Sequence, residues 1–572
     1  MPRTCKQTLL KMIVLSSISL SNFAAADSDT QIAPKLVLQI TVDALRGDLP
    51  YRYQEQFGDK GFKYFMREGL VFKNAHYQHA NTETIVGHAS LATGATPSIH
   101  GMVGNIWFDR TQDRVVYNIE DENYSLLGEG GDVDKSTEID ATQKAANSDG
   151  RSPLPFLVST FSDELAISSF GQSKIFGVSV KDRGAVSLAG QYGKAFWFSK
   201  SKSQFVTSDY YYDTYPQWVS EFNAQGHPNR YSDTSWELSV DSNDYRVPAD
   251  QDVSYKTDLA GFGQQFPHPY GPASDKYFTT KLTLSPAGDA LTLDFAKALL
   301  DAENLGNNQQ TDYLSVSFSS NDYVIHIFGP SSREAEDNLI QLDQRIAELL
   351  QYVDDKVGLQ NTLVVLSADH GAPEVPGYLS SLGGKKSRYF DINSLTSESV
   401  DARLKSSFGV GVELIDLYTH PYIYLNQEVL ATNKLDSNQV AQTLTQILQQ
   451  LDGIQYAVSK SDLQRTSLAS SPIMERISNN FHPDRSGEIY LVFEPNVYIN
   501  DFDGLEVASV HGSPWNYDTH VPIMFLAPGL DSSVIQRPVT PYDIAPTLSH
   551  YLNINSPSGS TGQPLLELFD SH

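Results

Sequence analysis

Donor atoms for metal ions recur at three separate points of the chain: Asp43, Asp322 with His326 four residues on, and the adjacent pair Asp369-His370. An aspartate and a histidine four apart share one face if the chain is helical between them. With a later histidine added, these are enough oxygen and nitrogen ligands for two zinc-type ions, with no sulfur required. One Asp-His pair alone reads as a surface ion pair; its repetition at three strand ends favours ligation. Two ions about 4 Å apart suit in-line displacement at phosphorus, one activating the attacking oxygen and the other holding the leaving oxygen. A neutral threonine is a poor nucleophile without such help. Thr84 stands in the polar stretch Asn81-Thr82-Glu83-Thr84, which runs into small residues suited to the start of a helix. By itself it would be a helix cap. Beside the ligands it is a candidate metal-held nucleophile.

The segments that precede these residues are built to place them. Four near-continuous apolar runs end in polar residues: Lys35 to Val42 before Asp43, Lys174 to Val180 before Lys181-Asp182-Arg183, Tyr313 to Phe318 before Ser319 to Asp322, and Thr362 to Ser367 before Asp369-His370. Such runs mark strands buried on both faces of a parallel sheet, and ligands of open α/β sheets gather at the carboxyl ends of the strands. Between the last two runs, Leu339, Leu342, Ile346, Leu349, Leu350 and Val353 recur at helical steps, so Ser332 to Val357 is an amphipathic crossover helix. Further helices are expected at Ser162 to Phe170 and Ser437 to Leu451. The alternation predicts an α/β fold with a mostly parallel central sheet and helices on both faces. Residues from about 191 to 285 and from about 372 to 505 fit it poorly. Both are read as insertions beside the site, of the kind that form lids or substrate walls.

The composition suits a large globular enzyme: 572 residues, 40% hydrophobic, 11% aromatic and 19% charged. Residues 1–26 hold Arg3, Lys6 and Lys11, no acid, an apolar core from Met12 and a small-residue end at Ala24-Ala25-Ala26, the pattern of a secretory signal peptide. The apolar run is shorter than the ~20 residues of a membrane span. Residues 27–572 are expected to form a single catalytic domain, periplasmic or secreted. Cys5, the only cysteine, lies inside the signal, so the mature chain has neither disulfides nor thiolate ligands. The formal charge of −28 becomes −31 when the three cations leave. So acidic a surface disfavours nucleic acid and anionic lipid, and bound metal ions are the natural local attraction for an anionic substrate.

The strand ending in Asp43, Thr84-x-x-Gly87-His88, Gly94-x-x-Pro97-Ser98-Ile99-His100-Gly101 with Asn105 following, Lys181-Asp182-Arg183, Asp322-x-x-x-His326, Asp369-His370-Gly371 and His511-Gly512-Ser513-Pro514 occur in this order. As a set they resemble the alkaline phosphatase superfamily, and within it the secreted bacterial phosphate-irrepressible alkaline phosphatases with a threonine nucleophile. The resemblance spans about Leu36 to Leu566. It implies two Zn²⁺: one held by Asp43, Thr84, Asp369 and His370 to activate the nucleophile, the other by Asp322, His326 and His511 to stabilise the leaving oxygen. His520 is the alternative to His511, less favoured because relatives place this ligand in a His-Gly step. The resemblance further implies transfer of phosphate to Thr84 and hydrolysis of the phosphothreonine.

Lys181 and Arg183 point to one side if the strand persists through them. A guanidinium fork and an ammonium there would grip the terminal oxygens of a phosphate, with Asn105 adding a hydrogen bond. Two cations suit a dianionic monoester; a diester carries one charge fewer, and its second substituent would collide with the clamp. Phosphate monoesters are therefore the expected substrates, hydrolysed by a monomer. A metal-dependent phosphodiesterase or nucleotide pyrophosphatase of the same superfamily is the main alternative, and an inactive binding module is another. A sulfatase is disfavoured by the lack of a mature cysteine and of a Cys/Ser-x-Pro-x-Arg context, and a cofactor-independent phosphoglycerate mutase by the signal peptide.

Overall fold

The central sheet has nine strands: β1 (Leu36–Val42), β2 (Leu70–His76), β3 (Ile175–Ser179), β4 (Lys194–Ser199), β5 (Gln204–Val206), β6 (Asp312–Phe318), β7 (Thr362–Ser367), β8 (His520–Leu526) and β9 (Ser533–Ile535). Their spatial order is β9-β2-β8-β7-β1-β6-β3-β4-β5. This computed structural model describes residues 33–569 apart from 129, 385, 465–470 and 503, so the expected signal peptide lies outside the described residues. The four strands foreseen in sequence, β7, β1, β6 and β3, are consecutive neighbours and all parallel. β4 continues the parallel set, whereas β8 runs antiparallel to β7 and β2, and β5 antiparallel to β4.

Both faces of the sheet are covered. Five helices matter for the site: α1 (Thr84–Thr93), α2 (Asp182–Ala189), α3 (Pro286–Ala302), α4 (Ser320–Phe328) and α5 (Arg333–Lys356). Leu38, Ile40 and Val42 of β1 join Leu339, Leu342 and Ile346 of α5 in one core. Val37, which points the other way, joins Phe161, Leu165 and Leu548 in a second. The polar interruption Gln39 is absorbed by accepting a hydrogen bond from the Tyr313 hydroxyl at 2.9 Å. α5 begins where the sequence signals it, with the Ser332 side chain accepting from the Ala335 N–H. Its apolar stripe is buried, and in its first half so are Glu334, Glu336, Asp337, Asn338 and Asp343.

Register places the chemistry. Val42 is paired with Phe318, Thr41 with Ser367 and Ser317 with Ser179. All four strands thus end within a residue of one another, and Asp43, Lys181, Asp322 and Asp369-His370 all emerge from one edge of the sheet.

Two expectations are corrected. The first insertion does not begin at about 191, because Lys194–Ser199 and Gln204–Val206 are strands of the central sheet; the apolar run Ala195-Phe196-Trp197-Phe198 is buried there on both faces. Nor does β3 persist through Lys181 and Arg183. It ends at Ser179, Lys181 is the N-cap of α2, and Arg183 lies in that helix's first turn. Within the second long region, Ile415–Thr419, Tyr422–Leu425, Ile489–Phe493 and Ile454–Ser459 form a separate antiparallel sheet in that order. The helix Ser437–Leu448 packs on it through Val440, Leu444 and Leu448.

α1 seats directly on the turn after β7. A Cβ on Gly87 would lie 1.9 Å from the Asp369 carbonyl oxygen, so only glycine permits this approach. Gly87→Ala is expected to lower stability by about 1–3 kcal/mol through forced displacement of α1, read as a fall in the urea midpoint. An unchanged midpoint would mean that the contact carries no strain.

Candidate active site

Three carboxylates and three histidines converge at the sheet edge. The Asp322 Oδ1 lies 3.3 Å from His326 Nε2 and 3.3 Å from His511 Nε2. Across the cluster, His370 Nε2 is 3.4 Å from Asp43 Oδ1 and 3.3 Å from Asp369 Oδ2. α4 supplies the helical turn that brings Asp322 and His326 together. Asp322, His326 and His511 offer ligand atoms within 4.8 Å of one another, and so do Asp43, Asp322 and His370. Asp322 therefore stands between two potential centres. Asp369, expected in the first ligand set, borders it through His370. His520 is not in the cluster: its Nε2 bonds to the Lys73 carbonyl oxygen at 3.0 Å and its ring stacks on His76.

The donor set fits metal ions on two independent grounds. Asp43 Oδ1, Asp322 Oδ1, Asp369 Oδ2 and His370 Nε2 are buried and carry no hydrogen bond, which in an interior is costly unless a cation meets them. Each histidine also has its Nδ1 against a backbone carbonyl: Ser509 for His326 at 2.7 Å, Gly371 for His370 at 2.9 Å and Thr82 for His511 at 2.8 Å. A carbonyl only accepts, so Nδ1 carries the proton and Nε2 presents its lone pair to the cluster, as a metal-binding imidazole requires.

Charge coupling is strong here. Burial would raise the Asp43 and Asp322 carboxyls, but both lie below the usual range, Asp43 chiefly because of Lys181, Asp322 because of His326 and Lys181. Burial and the nearby Asp43 push Asp369 up. Burial works against the His370 imidazolium, yet the Asp369 and Asp43 carboxylates lift it to about 9. Burial and the neighbouring His370 take His511 down to about 3.

Thr84 is the first residue of α1 and is buried at the floor of a cavity of about 370 Å³ that also reaches Asp322, His326 and His511. Its Oγ1 is not the helix cap; it lies 3.4 Å from Arg183 Nη2. Arg183 Nη1 is committed to Asp140 at 2.8 Å and Tyr117 at 3.3 Å, while Nε has no partner. The Nε–Nη2 edge of the guanidinium, the fork that takes a phosphate, is thus the free one beside Thr84. Asn105 Oδ1 accepts from the Ile85 N–H at 3.1 Å, which leaves its amide N–H groups for a ligand. Lys181 is placed differently from the expectation of a freestanding clamp. It is fully buried between Asp43 Oδ2 at 2.8 Å and Asp322 Oδ2 at 2.5 Å, because a buried ammonium needs carboxylate partners.

The sequence model of the type I phosphodiesterase / nucleotide pyrophosphatase family matches residues 37–520. The chain belongs to this family. Among its relatives are a Myroides odoratus protein named calcium-transporting ATPase, 32% identical over 96% of this chain and 97% of that one. Alkaline phosphatase PafA of Elizabethkingia meningoseptica is 33% identical over 99% of both chains. Alkaline phosphatase PhoV of Synechococcus elongatus is 32% identical over 94% of each. The crystal structure of wild-type PafA superposes with a TM-score of 0.83 at 31% identity, covering 94% of this chain and 99% of PafA, and a PafA variant altered at one threonine, one asparagine, one lysine and one arginine matches equally well. The resemblance to the alkaline phosphatase superfamily therefore holds.

Membership in the type I phosphodiesterase / nucleotide pyrophosphatase family implies metal dependence, in keeping with the donor set. Several supporting residues were invisible in sequence. Asp140 and Tyr117 fix Arg183, and Asp182 is held by the Tyr117 hydroxyl at 2.6 Å and Arg151 Nε at 2.7 Å. His88 Nδ1 sits 2.9 Å from the Thr84 carbonyl and 3.1 Å from Asp369 Oδ2, joining α1 to the ligands. His420, from the second long region, meets the Gly512 carbonyl at 2.9 Å beside His511. No spacing rule marks these; only His88 and Asp182 stood inside motifs. Ligand binding to the folded state stabilises it, so chelation is expected to lower the melting temperature by several degrees and a divalent ion to restore it. A melting curve indifferent to chelator and added ions would exclude a metal centre.

Proposed function

We propose that this chain is an exported alkaline phosphatase that hydrolyses phosphate monoesters through a phosphothreonine at Thr84. The observation that carries the reading is the free Nε–Nη2 edge of Arg183 facing Thr84 Oγ1. A dianionic phosphoryl group placed against that edge has its phosphorus beside the threonine oxygen. Lys181 Nζ donates a hydrogen bond to Asp322 and forms an ion pair with Asp43, which leaves N–H capacity for a phosphate oxygen. The PafA variant is altered at the same four residue types, with the spacings of Thr84 to Asn105 and of Lys181 to Arg183.

Asp43, Asp369, His370 and Thr84 would hold one Zn²⁺, and Asp322, His326 and His511 the other. Bound there, the two ions supply the positive charge that activates a hydroxyl and stabilises a departing oxygen. In the first displacement Thr84 Oγ1 gives up its proton and bonds to phosphorus as the P–O ester bond breaks, and the departing oxygen takes up a proton to give the alcohol. Arg183, Lys181 and Asn105 hold the equatorial oxygens while charge shifts between them. Water then attacks phosphorus in line with Thr84, releasing inorganic phosphate and restoring the hydroxyl. His88 keeps the first turn of α1, and so Thr84, in place relative to Asp369.

Three measurements test the reading. Thr84→Ala should cut monoester turnover at least about 10³-fold; full activity in that variant sinks the mechanism. Arg183→Ala should lower kcat/KM for 4-nitrophenyl phosphate by about 10²–10³ and narrow the ratio to bis(4-nitrophenyl) phosphate, whereas a wild-type preference for the diester would favour a phosphodiesterase. His511→Ala should lose one zinc per chain and His520→Ala none; the reverse result reassigns the last ligand.

A further inference from the structure

The second long region contributes an apolar wall to the cavity. The cavity that holds Thr84, His326 and His511 is also lined by Phe493, Ile499, Phe502, Leu505 and Val510, with Thr419, Tyr498 and Ser513 among the polar residues beside them. Phe502 and Leu505 are paired across a short antiparallel ladder, and the Phe502 ring stands edge-on to the His326 ring with centroids 5.1 Å apart. This wall is fastened to the helix that carries His326: the Ala508 N–H donates to the His326 carbonyl at 2.8 Å, and His326 Nδ1 donates to the Ser509 carbonyl at 2.7 Å. It is therefore positioned on the side where, in the proposed reaction, the ester oxygen departs.

Charge points the same way. Among the described residues lining the cavity, Glu83, Asp140, Asp322, Asp501 and Asp518 are acidic, and Arg183 is the sole lysine or arginine. Arg183 is engaged by Asp140 and by the expected phosphate position, so an anionic or polyphosphorylated tail meets no cation further out. A polyhydroxylated ring would lose water from its hydroxyls against aliphatic and aromatic carbon, at a cost that unpaired polar groups do not recover. An apolar ring gains from the same burial.

We propose that the wall around Phe502 and Leu505 is an apolar leaving-group pocket and that the preferred substrates are phosphate monoesters of apolar alcohols, with rings or short hydrocarbon chains. This rests on the phosphomonoesterase reading. The test compares the zinc-loaded full chain on cyclohexylmethyl phosphate and on a hexose 6-phosphate, which share a six-membered ring and a primary phosphate ester and differ in polarity. Methyl phosphate serves as the small reference. The expected result is a kcat/KM at least about tenfold higher for the apolar ester, with Phe502→Ser and, separately, Leu505→Ser each shrinking that preference severalfold. Equal rates on the two ring esters, a preference for the sugar phosphate, or a ratio unmoved by both folded variants would overturn the pocket while leaving the hydrolase intact. Failure to hydrolyse any of the three esters, methyl phosphate included, would overturn the phosphomonoesterase reading and the pocket with it.

Discussion

Three buried carboxylates at one edge of a parallel sheet are the constraint on which the rest of the structure depends. Asp43, Asp322 and Asp369 are almost wholly removed from water within a few ångströms of one another. Each buried charge costs several kcal/mol unless it is paired, so the fold must deliver compensating groups to the same point. Lys181 comes from the end of β3, His370 from the end of β7, and His326 from the turn of α4 that also carries Asp322. The in-register pairing of β3, β6, β1 and β7 makes this possible. A slip of one residue would turn each core side chain to the opposite face of the sheet, so hydrophobic burial along the strands and placement of charge at their ends are one requirement.

Around that cluster, precision comes from contacts outside the carboxylates and histidines themselves. α1 reaches its position because Gly87 lets it rest on the Asp369 backbone, and His88 ties the same helix to the Asp369 carboxylate. The Arg183 guanidinium is turned by Asp140 and Tyr117, and Tyr117 in turn by Asp182. Committing one edge of the guanidinium leaves the other directed at Thr84, so the group is held in place before any ligand arrives. The second long region adds a layer of different character, aromatic and aliphatic, which meets the polar cluster at His326 and His511.

Much of this was legible in the sequence. Near-continuous apolar runs ending in Asp, His and Lys specify buried strands with functional ends, since only a strand covered on both faces tolerates such composition. The spacing of Asp322 and His326 suited a helical turn, which α4 supplies, and the stripe from Leu339 to Val353 specified α5 through local periodicity alone. The strand Lys194–Ser199 was missed as part of the core because it sits beside a Tyr-, Ser- and Asp-rich stretch that masks its apolar run.

Residue types and local spacing therefore marked the donor atoms at the strand ends and the parallel sheet that gathers them. What only the tertiary structure decided is which alternatives meet. His511 rather than His520 joins Asp322, because the loop from 511 folds back to bond with Thr82 while His520 opens an antiparallel strand and turns to Lys73. Lys181 lies between two carboxylates, because β3 ends at Ser179, short of both Lys181 and Arg183, and the chain turns there into α2. Asp140, Tyr117 and His420 reach the site from segments without any periodic signal. Their roles arise from contacts between residues distant in sequence, which local spacing does not encode.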